Sequence, residues 1–521
     1  MRRGLQLAAL SGLLVTGFVS THAFAQEPTN ADPQQPAEEP NTAQPAPEAP
    51  GVTVTPDATV AAPVATVATP VGKPKVGDLT THGYFRGGFG ANINQKGRMT
   101  CFGLSLNGGI LSKYRLGNEC EVWGELDLTS VVYAGEDGTV ANLHFMPVAD
   151  IPTSKIGYSP TGVTSSDLGS ANTGATVAFP NLYADIKGIS WLFGGTPWVG
   201  TRYYKRESVY ISDFFYWNPS GVGAGIEDVN VGQIIDEIGY SSDFLKALRL
   251  SYAVFAVDGE PKSSTEKTAP ALPSQIDLGI RNDVQLRGIR PYQGGEFQIG
   301  FQYIADYSNN IDDTGASVTH GGWGITVRHV QDVLGGDNKL VFQYGKGGGT
   351  GFGTLARFYY PDFSLYYLKS ETRLRILDVL TIQPTDWLGA QLVVAYQRDD
   401  TGTGTTEALT EWYSAGARVS VALVEHVKVL GEVGYDRVKK HNGAEPQWLG
   451  KLTGALAIAG AKGFWGRPEL RIFYTYAQWS KAAAVATVDS GQVYTNPIPD
   501  SDPPVYRLSG SIAGVQAEAM W

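Results

Sequence analysis

The chain lacks the residues on which several common protein classes depend. It has two cysteines and seven histidines among 521 residues, and neither an HExxH nor a GxxxxGK[ST] spacing occurs in it. A zinc hydrolase or a phosphate-binding loop is therefore not indicated. Acidic residues outnumber basic ones, and the formal net charge is −11, whereas a nucleic-acid partner would require a basic face. We predict no enzyme activity, no cofactor and no metal.

Long apolar runs are also missing, except at the N-terminus. A basic start precedes an apolar stretch over Leu5–Val19, and Ala23-Phe24-Ala25 is a small-x-small cleavage site. This pattern predicts a signal peptide over residues 1–25; for the alternative, an uncleaved anchor helix, the apolar run is short. No later stretch approaches the ~20 apolar residues of a transmembrane helix. An exported chain of this kind is periplasmic, secreted or an outer-membrane β-barrel.

Residues 26–77 differ in composition from the rest of the chain. Eleven prolines fall between Pro28 and Pro74, among Ala, Glu, Thr and Val, and no heptad pattern is present. Such a segment cannot bury enough apolar surface to fold alone. We predict a disordered periplasmic linker here.

What the chain has in abundance is glycine (64), tyrosine (26) and apolar–polar alternation. From residue 78 onward, strand after strand carries acids and arginines on one face and apolar residues on the other. A soluble sandwich also alternates, but a charged face on successive strands is typical of a membrane barrel with lipid outside and a polar lumen. We predict an all-β protein whose residues 78–521 form a transmembrane antiparallel β-barrel of roughly 16–18 strands. The clearest split lies in residues 118–128, where Glu119, Glu121, Trp123, Glu125 and Asp127 share one face. A second such strand is predicted over Trp465–Tyr476, where Trp465, Arg467, Glu469 and Arg471 oppose Leu470, Ile472, Tyr474 and Tyr476.

One stretch, Trp198–Gly225, combines seven aromatic rings after Gly200 with five charged side chains and then a glycine-rich segment. Unpaired charge is costly in a core, and a plain surface loop does not carry so many rings. Flat rings beside charged hydrogen-bonding groups suit a sugar, which has both CH faces and hydroxyl edges. The alternative is an amphipathic strand pair packed on a core.

The two cysteines, Cys101 and Cys120, are close in sequence. In an exported protein the default for such a pair is one disulfide. By the loop-entropy model it stabilises the fold by about 3 kcal/mol.

Seven short runs stand out along the chain: His82–Arg86 (HGYFR), Ser112–Glu121 (SKYRLGNECE), Arg202–Arg206 (RYYKR), Asp213–Trp217 (DFFYW), Gly221–Gly225 (GVGAG), Arg375–Asp378 (RILD) and Trp465–Pro468 (WGRP). These runs resemble the maltoporin family of sugar-specific porins. The resemblance implies an 18-stranded antiparallel barrel in the Gram-negative outer membrane, in contact with its lipid. It also implies an inward-folded third loop, a homotrimer, and passive passage of maltose, malto-oligosaccharides or a related oligosaccharide.

The same resemblance implies a sugar path made of an aromatic slide flanked by a polar track. For the rings the alternative is an interfacial girdle or simple packing; for the charges it is lumen ion pairs that hold the third loop. Residues matching the slide are Tyr84, Trp123, Phe215 and Trp465, and those matching the track are Arg86, Arg115, Glu125, Arg206 and Asp213.

The chain also departs from the family pattern. Asp337 and Met520 stand at expected slide positions, Ser208 and Asn218 stand where acids are usual, and Tyr158 is a candidate for an aromatic lent by a neighbouring subunit. The preferred sugar therefore stays open. The alternative function is a general diffusion porin without a saccharide site.

Overall fold

The computed structural model describes most of the chain beyond the proline-rich segment. The predicted signal peptide, all but the last five residues of the predicted linker, and Tyr158 lie outside the described residues. The described residues are 73–93, 97–99, 101–106, 109–110, 112–152, 176–240, 243–258, 278–306, 310–311, 317–319, 321–352, 367–405, 409–489 and 507–521.

Eighteen long strands form the wall of one closed barrel. Each pairs antiparallel with the next along the chain, and β18 pairs with β1 from Met520 opposite Tyr84 to Ile512 opposite Asn92. Closure leaves the wall without a free edge, and the predicted 18-stranded antiparallel barrel is confirmed. The strands are β1 Leu79–Asn92, β2 Glu121–Ala134, β3 Val140–Pro152, β4 Thr176–Lys187, β5 Thr196–Arg202, β6 Gly221–Asn230, β7 Arg249–Asp258, β8 Leu278–Tyr292, β9 Gly295–Asp306, β10 Gly322–Val333, β11 Gly336–Gly347, β12 Thr372–Ile382, β13 Leu388–Asp400, β14 Leu409–Val424, β15 Val427–Lys440, β16 Gln447–Ala459, β17 Glu469–Trp479 and β18 Ser509–Met520.

The remaining elements are short and lie in the connections. None of the helices in the described part of the chain is long and apolar enough to cross a membrane. The α-helices are Val231–Glu237, Asp243–Lys246 and Lys481–Asp489; the 3-10 turns are Ser190–Leu192, Tyr210–Ser212 and Gly348–Gly351; and the short strands are Gly97–Arg98, Ser105–Leu106, Gly109–Ile110, Glu207–Val209, Phe214–Trp217, Asn310–Ile311, Ser317–Thr319 and Tyr367–Leu368.

The wall strands alternate between an exposed apolar face and a buried polar face. On β17, Leu470, Ile472 and Tyr474 are 54%, 66% and 52% exposed, whereas Arg471 and Thr475 are almost completely buried. Because side chains point to opposite faces with a period of two, the apolar set covers the outside and the polar set lines the lumen. This is the lipid-facing wall that the alternation predicted.

The two ends of the barrel differ. At one end most hairpins are tight; Leu334 and Gly335, between β10 and β11, have φ values of 47° and 73°, the left-handed pair that a two-residue turn requires. Most of the longer connections lie at the other end, and the exception is residues 231–248, which contain two short helices at the tight-turn end. Because the strand number is even, β1 begins and β18 ends at the tight-turn end. In transmembrane barrels the short turns face the periplasm.

Two long connections fold into the lumen and supply much of the core. Loop 1 (residues 93–120) buries Phe102, Tyr114 and Leu116 at 3% exposure or less, and loop 3 (residues 203–220) buries Ile211 and Tyr216 completely. The predicted inward fold of loop 3 is confirmed. The inward fold of loop 1 was not predicted.

Glycines on the wall make room for these loops. The Tyr114 ring lies against Gly416 and Gly434, where a Cβ at either position would overlap it, and the Trp217 ring lies in the same way against Gly300. The loop side chains therefore pack directly on the barrel backbone.

Two strands begin later than the alternation predicted. The strand expected from residue 118 begins at Glu121, and the strand expected from Trp465 begins at Glu469. The first difference arises because residues 118–120 belong to loop 1. The second arises because residues 460–468 form a longer turn that includes a cis peptide bond between Arg467 and Pro468.

Candidate functional site

Loops 1 and 3 meet inside the barrel and are joined through their backbones. The Lys113 N–H donates to the Ser212 carbonyl at 3.1 Å, and the Arg115 N–H donates to the Ile211 carbonyl at 2.8 Å. We call this junction the latch. The predicted disulfide between Cys101 and Cys120 is present, and it ties the start of loop 1 to the residue before β2.

A buried ammonium group lies at the centre of the latch. The Lys113 Nζ lies 2.9 Å from a Glu119 oxygen, 3.0 Å from a Glu121 oxygen and 3.0 Å from an Asp213 oxygen. The oxygens of these three carboxylates lie within 4.8 Å of one another, which is a possible metal-ligand set. Here the lysine side chain takes the position of the cation.

Two arginines of the predicted polar track complete this charge cluster. Arg86 lies 2.6 Å from Glu121 and 3.2 Å from Asp213. Arg115 forms an ion pair with Glu119 and donates to the Tyr84 hydroxyl. Three predicted track residues (Arg86, Arg115 and Asp213) therefore lie together, and they hold the loops in the way that the ion-pair alternative described.

Two carboxylates of the latch, Glu119 and Asp213, stay ionised because cations surround them. Burial alone raises the pKa of Glu119, but Arg115, Arg86 and Lys113 outweigh it and lower that pKa to about 2. Burial likewise raises the pKa of Asp213, and Arg86 and Lys113 reverse the effect and hold it well below its usual range. Both groups are therefore anionic at neutral pH.

Aromatic rings line the wall beside this cluster. The Arg86 guanidinium lies 5.5 Å from the Trp123 ring centre, and the Trp123 indole N–H donates to Glu125 at 2.8 Å. Half-buried Tyr84 and Tyr203 pack against the group that contains Trp123. Trp123 itself is only 7% exposed, so its main role in this structure is to pack beneath Arg86, and the neighbouring tyrosines offer the more accessible rings. Tyr203 is one of the seven rings counted in Trp198–Gly225, but the sequence did not assign it to the slide.

Arg206 and Phe215 lie on the loop 3 side of this wall. The Arg206 guanidinium carbon lies 3.3 Å from the Tyr203 ring centre and 5.0 Å from the Phe215 ring centre. Phe215 is half-buried in the short strand Phe214–Trp217. These two predicted site residues are therefore neighbours, and Tyr203 connects them to the Trp123 group.

Trp465 reaches the same region from the turn between β16 and β17. Its ring lies 4.8 Å from the Tyr210 ring, edge to face, and the Tyr210 hydroxyl donates to Glu518 at 2.6 Å. Glu518 also accepts a hydrogen bond from Tyr84 at 2.9 Å. Tyr210 and Glu518 thus link Trp465 to the other predicted residues, and sequence reasoning did not single them out. A signal existed for Glu518, which falls on the lumen face of the alternating last strand.

Asp337 and Met520, the two non-aromatic residues at expected slide positions, also face the lumen or its rim. Asp337 forms an ion pair with Lys339 at 3.1 Å, and Met520 pairs with Tyr84 across the closing seam. Neither position supplies a ring to the predicted slide.

A closed barrel with an apolar outer wall, a polar lumen and inward-folded loops defines the class of outer-membrane porins. The model of the LamB porin family matches residues 79–521. The chain therefore belongs to the LamB porin family and forms an outer-membrane channel.

Three solved structures resemble this chain distantly. OccK8 (OprE) of Pseudomonas aeruginosa is 9% identical, with 86% of this chain and 99% of that chain covered and a TM-score of 0.42. The channel DcaP of Acinetobacter baumannii is 10% identical, with 86% and 98% covered and a TM-score of 0.41. The trimer form of OmpT of Vibrio cholerae is 8% identical, with 86% and 100% covered and a TM-score of 0.33. The assignment rests on the family match and not on these likenesses.

Proposed function

We propose that this porin is a saccharide-selective channel for maltose, malto-oligosaccharides or a related oligosaccharide. The observation that carries the proposal is the set of half-buried rings of Tyr84, Tyr203 and Phe215 beside charged hydrogen-bonding groups, where loop 3 narrows the lumen. A channel that served only for diffusion would need no aromatic surface at this point.

Each part of the site performs one step of passage. Rings stack on the apolar face of a sugar, at about 1 kcal/mol for each ring. Charged groups at the edges replace the water that the hydroxyls lose. Because each contact is weak and several follow one another, the sugar enters and also leaves. No step needs a chemical reaction, which is consistent with a channel that has no catalytic role.

Current through single channels in a planar bilayer tests this proposal. Maltose, maltotriose and sucrose are added at millimolar concentration to wild type, Tyr203→Ala and Trp123→Ala, with Tyr474→Ala as a control on the outer wall. We expect at least one sugar to block the wild-type current. The loss of the Tyr203 ring should weaken block about fivefold, since about 1 kcal/mol is lost. A current that none of the three sugars reduces would instead support a general diffusion porin.

The buried position of Trp123 makes its variant informative in a second way. If Trp123 only packs, Trp123→Ala lowers the stability of the wall and leaves block by sugar nearly unchanged. A change of block as large as that of Tyr203→Ala would show that the indole contacts the sugar during passage.

We also propose that the channel is a homotrimer, as the resemblance implies, and that residues 1–25 are removed on export. Residues 26–77 would then form a disordered spacer in the periplasm, in keeping with β1 starting at the tight-turn end of the barrel. Native mass spectrometry gives the subunit number. N-terminal sequencing of the mature protein checks the cleavage site.

A further inference from the structure

The charged residues of loop 3 are not equally paired. Lys205 lies 3.0 Å from Asp228, Glu207 forms an ion pair with Arg328, and Asp213 lies in the latch. Arg206 is the exception: among the described residues its contacts are the Tyr203 and Phe215 rings, and no carboxylate neutralises it. Among the described residues, Arg206 is therefore the charged side chain of loop 3 that has no partner of opposite charge.

The stacked position of Arg206 leaves its hydrogen-bond donors available. A guanidinium stacked on a ring uses its flat face, whereas its five N–H groups point outward in its own plane. Arg206 is half-buried, so these donors border the lumen. Two parallel N–H groups match the two oxygens of a carboxylate.

Tyr203 connects Arg206 to the other aromatic residues of the lumen wall. Tyr203 contacts the guanidinium on one side and packs with the Trp123 group, next to Tyr84. Aromatic faces that hold a sugar ring thus adjoin a fixed cation that can hold an anionic substituent. The other cations at this level, Arg86 and Lys113, are saturated by carboxylates.

We propose that the channel selects acidic saccharides over neutral ones, and that Arg206 binds the carboxylate of a uronate unit as it passes. This inference rests on the proposed saccharide channel and narrows its substrate class. A neutral sugar can replace water at Arg206 with its hydroxyls, but it cannot supply a carboxylate partner for the guanidinium. A carboxylate supplies both the charge and the planar geometry.

Two ligands of the same shape but different charge test whether the preference depends on the carboxylate. Digalacturonate and its dimethyl ester have the same two rings, and only the first is anionic; maltose serves as a neutral reference. Block of the single-channel current is titrated with each of the three in 0.1 M KCl. We expect the acid to block wild type at a concentration at least about tenfold lower than the ester, since hydrogen bonds to charged groups are the strong ones.

Three variants assign the preference to Arg206. Arg206→Gln should bring the acid to the level of the ester, and Arg206→Lys should keep part of the preference because the charge remains without the planar fork. Arg398→Gln removes the same charge from an exposed position, 46% accessible, on the outer face of β13; it should behave as wild type.

A measurement without sugar gives an independent readout. In a KCl gradient, the zero-current potential of Arg206→Gln should shift toward cation selectivity relative to wild type and Arg398→Gln. Equal block by acid and ester in wild type would overturn the inference, as would a preference that survives in Arg206→Gln. If maltose blocks while the acid has no advantage, only this inference fails. If no saccharide blocks, the proposed function fails as well.

Discussion

Lys113→Ala is the sharpest test of how loops 1 and 3 are held together. The wild-type ammonium contacts Glu119, Glu121 and Asp213 at 2.9–3.0 Å. Without it, three carboxylates face only the guanidiniums of Arg86 and Arg115, so one negative charge is left without a partner. We expect the latch to weaken while the barrel wall stays folded, because the wall is held by its own strand pairs.

The size of the effect follows from the burial of the cluster. Breaking a buried ion pair by removing one partner costs about 3–5 kcal/mol. The Lys113 side chain is 15% exposed and that of Glu121 is 20% exposed, so water in the lumen moderates the loss. We take the lower end, about 3 kcal/mol, which corresponds to an opening of the latch about 150 times more frequent.

Amide hydrogen exchange measures this opening at the two backbone bonds of the latch. The N–H groups of residues 113 and 115 donate to Ser212 and Ile211, and they should exchange about 150-fold faster in the variant when exchange follows the opening equilibrium. Lys440→Ala, at an exposed position at the end of β15, is the matched control. Protection of residue 115 within threefold of wild type would refute the view that the ammonium holds the latch.

Three further predictions concern the same loops. Reduction of the loop 1 disulfide should make loop 1 more sensitive to protease and raise the open-channel noise, since about 3 kcal/mol of loop constraint is removed. Gly434→Ala should displace the Tyr114 ring at a cost of about 1–3 kcal/mol and speed exchange in loop 1, whereas Gly431→Ala on the same strand, where a Cβ meets open space, should not. The folded pKa of Glu119, about 2, lies below its ordinary value of 4.5; its ionised form therefore stabilises the latch above pH 4.5, and this stabilisation is lost as the pH falls toward 2. Channel noise should accordingly rise only below pH 4.5, and Glu119→Gln should be noisy already at pH 7.

The wall strands could be predicted from the sequence because their signal is local. The alternation of Leu470, Ile472 and Tyr474 with Arg471 and Thr475 assigns each side chain to lipid or lumen, and the structure confirms it. The alternation does not determine where each strand begins. Glu119 continues the alternation of β2, yet it belongs to loop 1, since alternation alone does not distinguish a strand from a buried loop that leads into it.

The sequence indicated several site residues one by one, but it did not indicate which residues they contact. Arg86, Arg115 and Asp213 were singled out, but nothing in their spacing indicates that Lys113 lies between their carboxylate neighbours. Those contacts join residues from two loops and one wall strand. Trp123 was predicted to contact the sugar with its ring. The folded structure shows that Arg86 covers this ring and that the ring of Tyr203 is more accessible.

By itself, the sequence determined the closed barrel, its orientation toward lipid and lumen, and its family, because these depend on residue type and a period of two. The tertiary structure decided which charges in the described part of the lumen pair with one another. Ion pairing inside the lumen depends on distances between residues far apart in the chain. The resemblance already indicates Arg206 as a residue of the track, but only the fold shows that, among the described residues, it stacks on two rings and has no carboxylate partner.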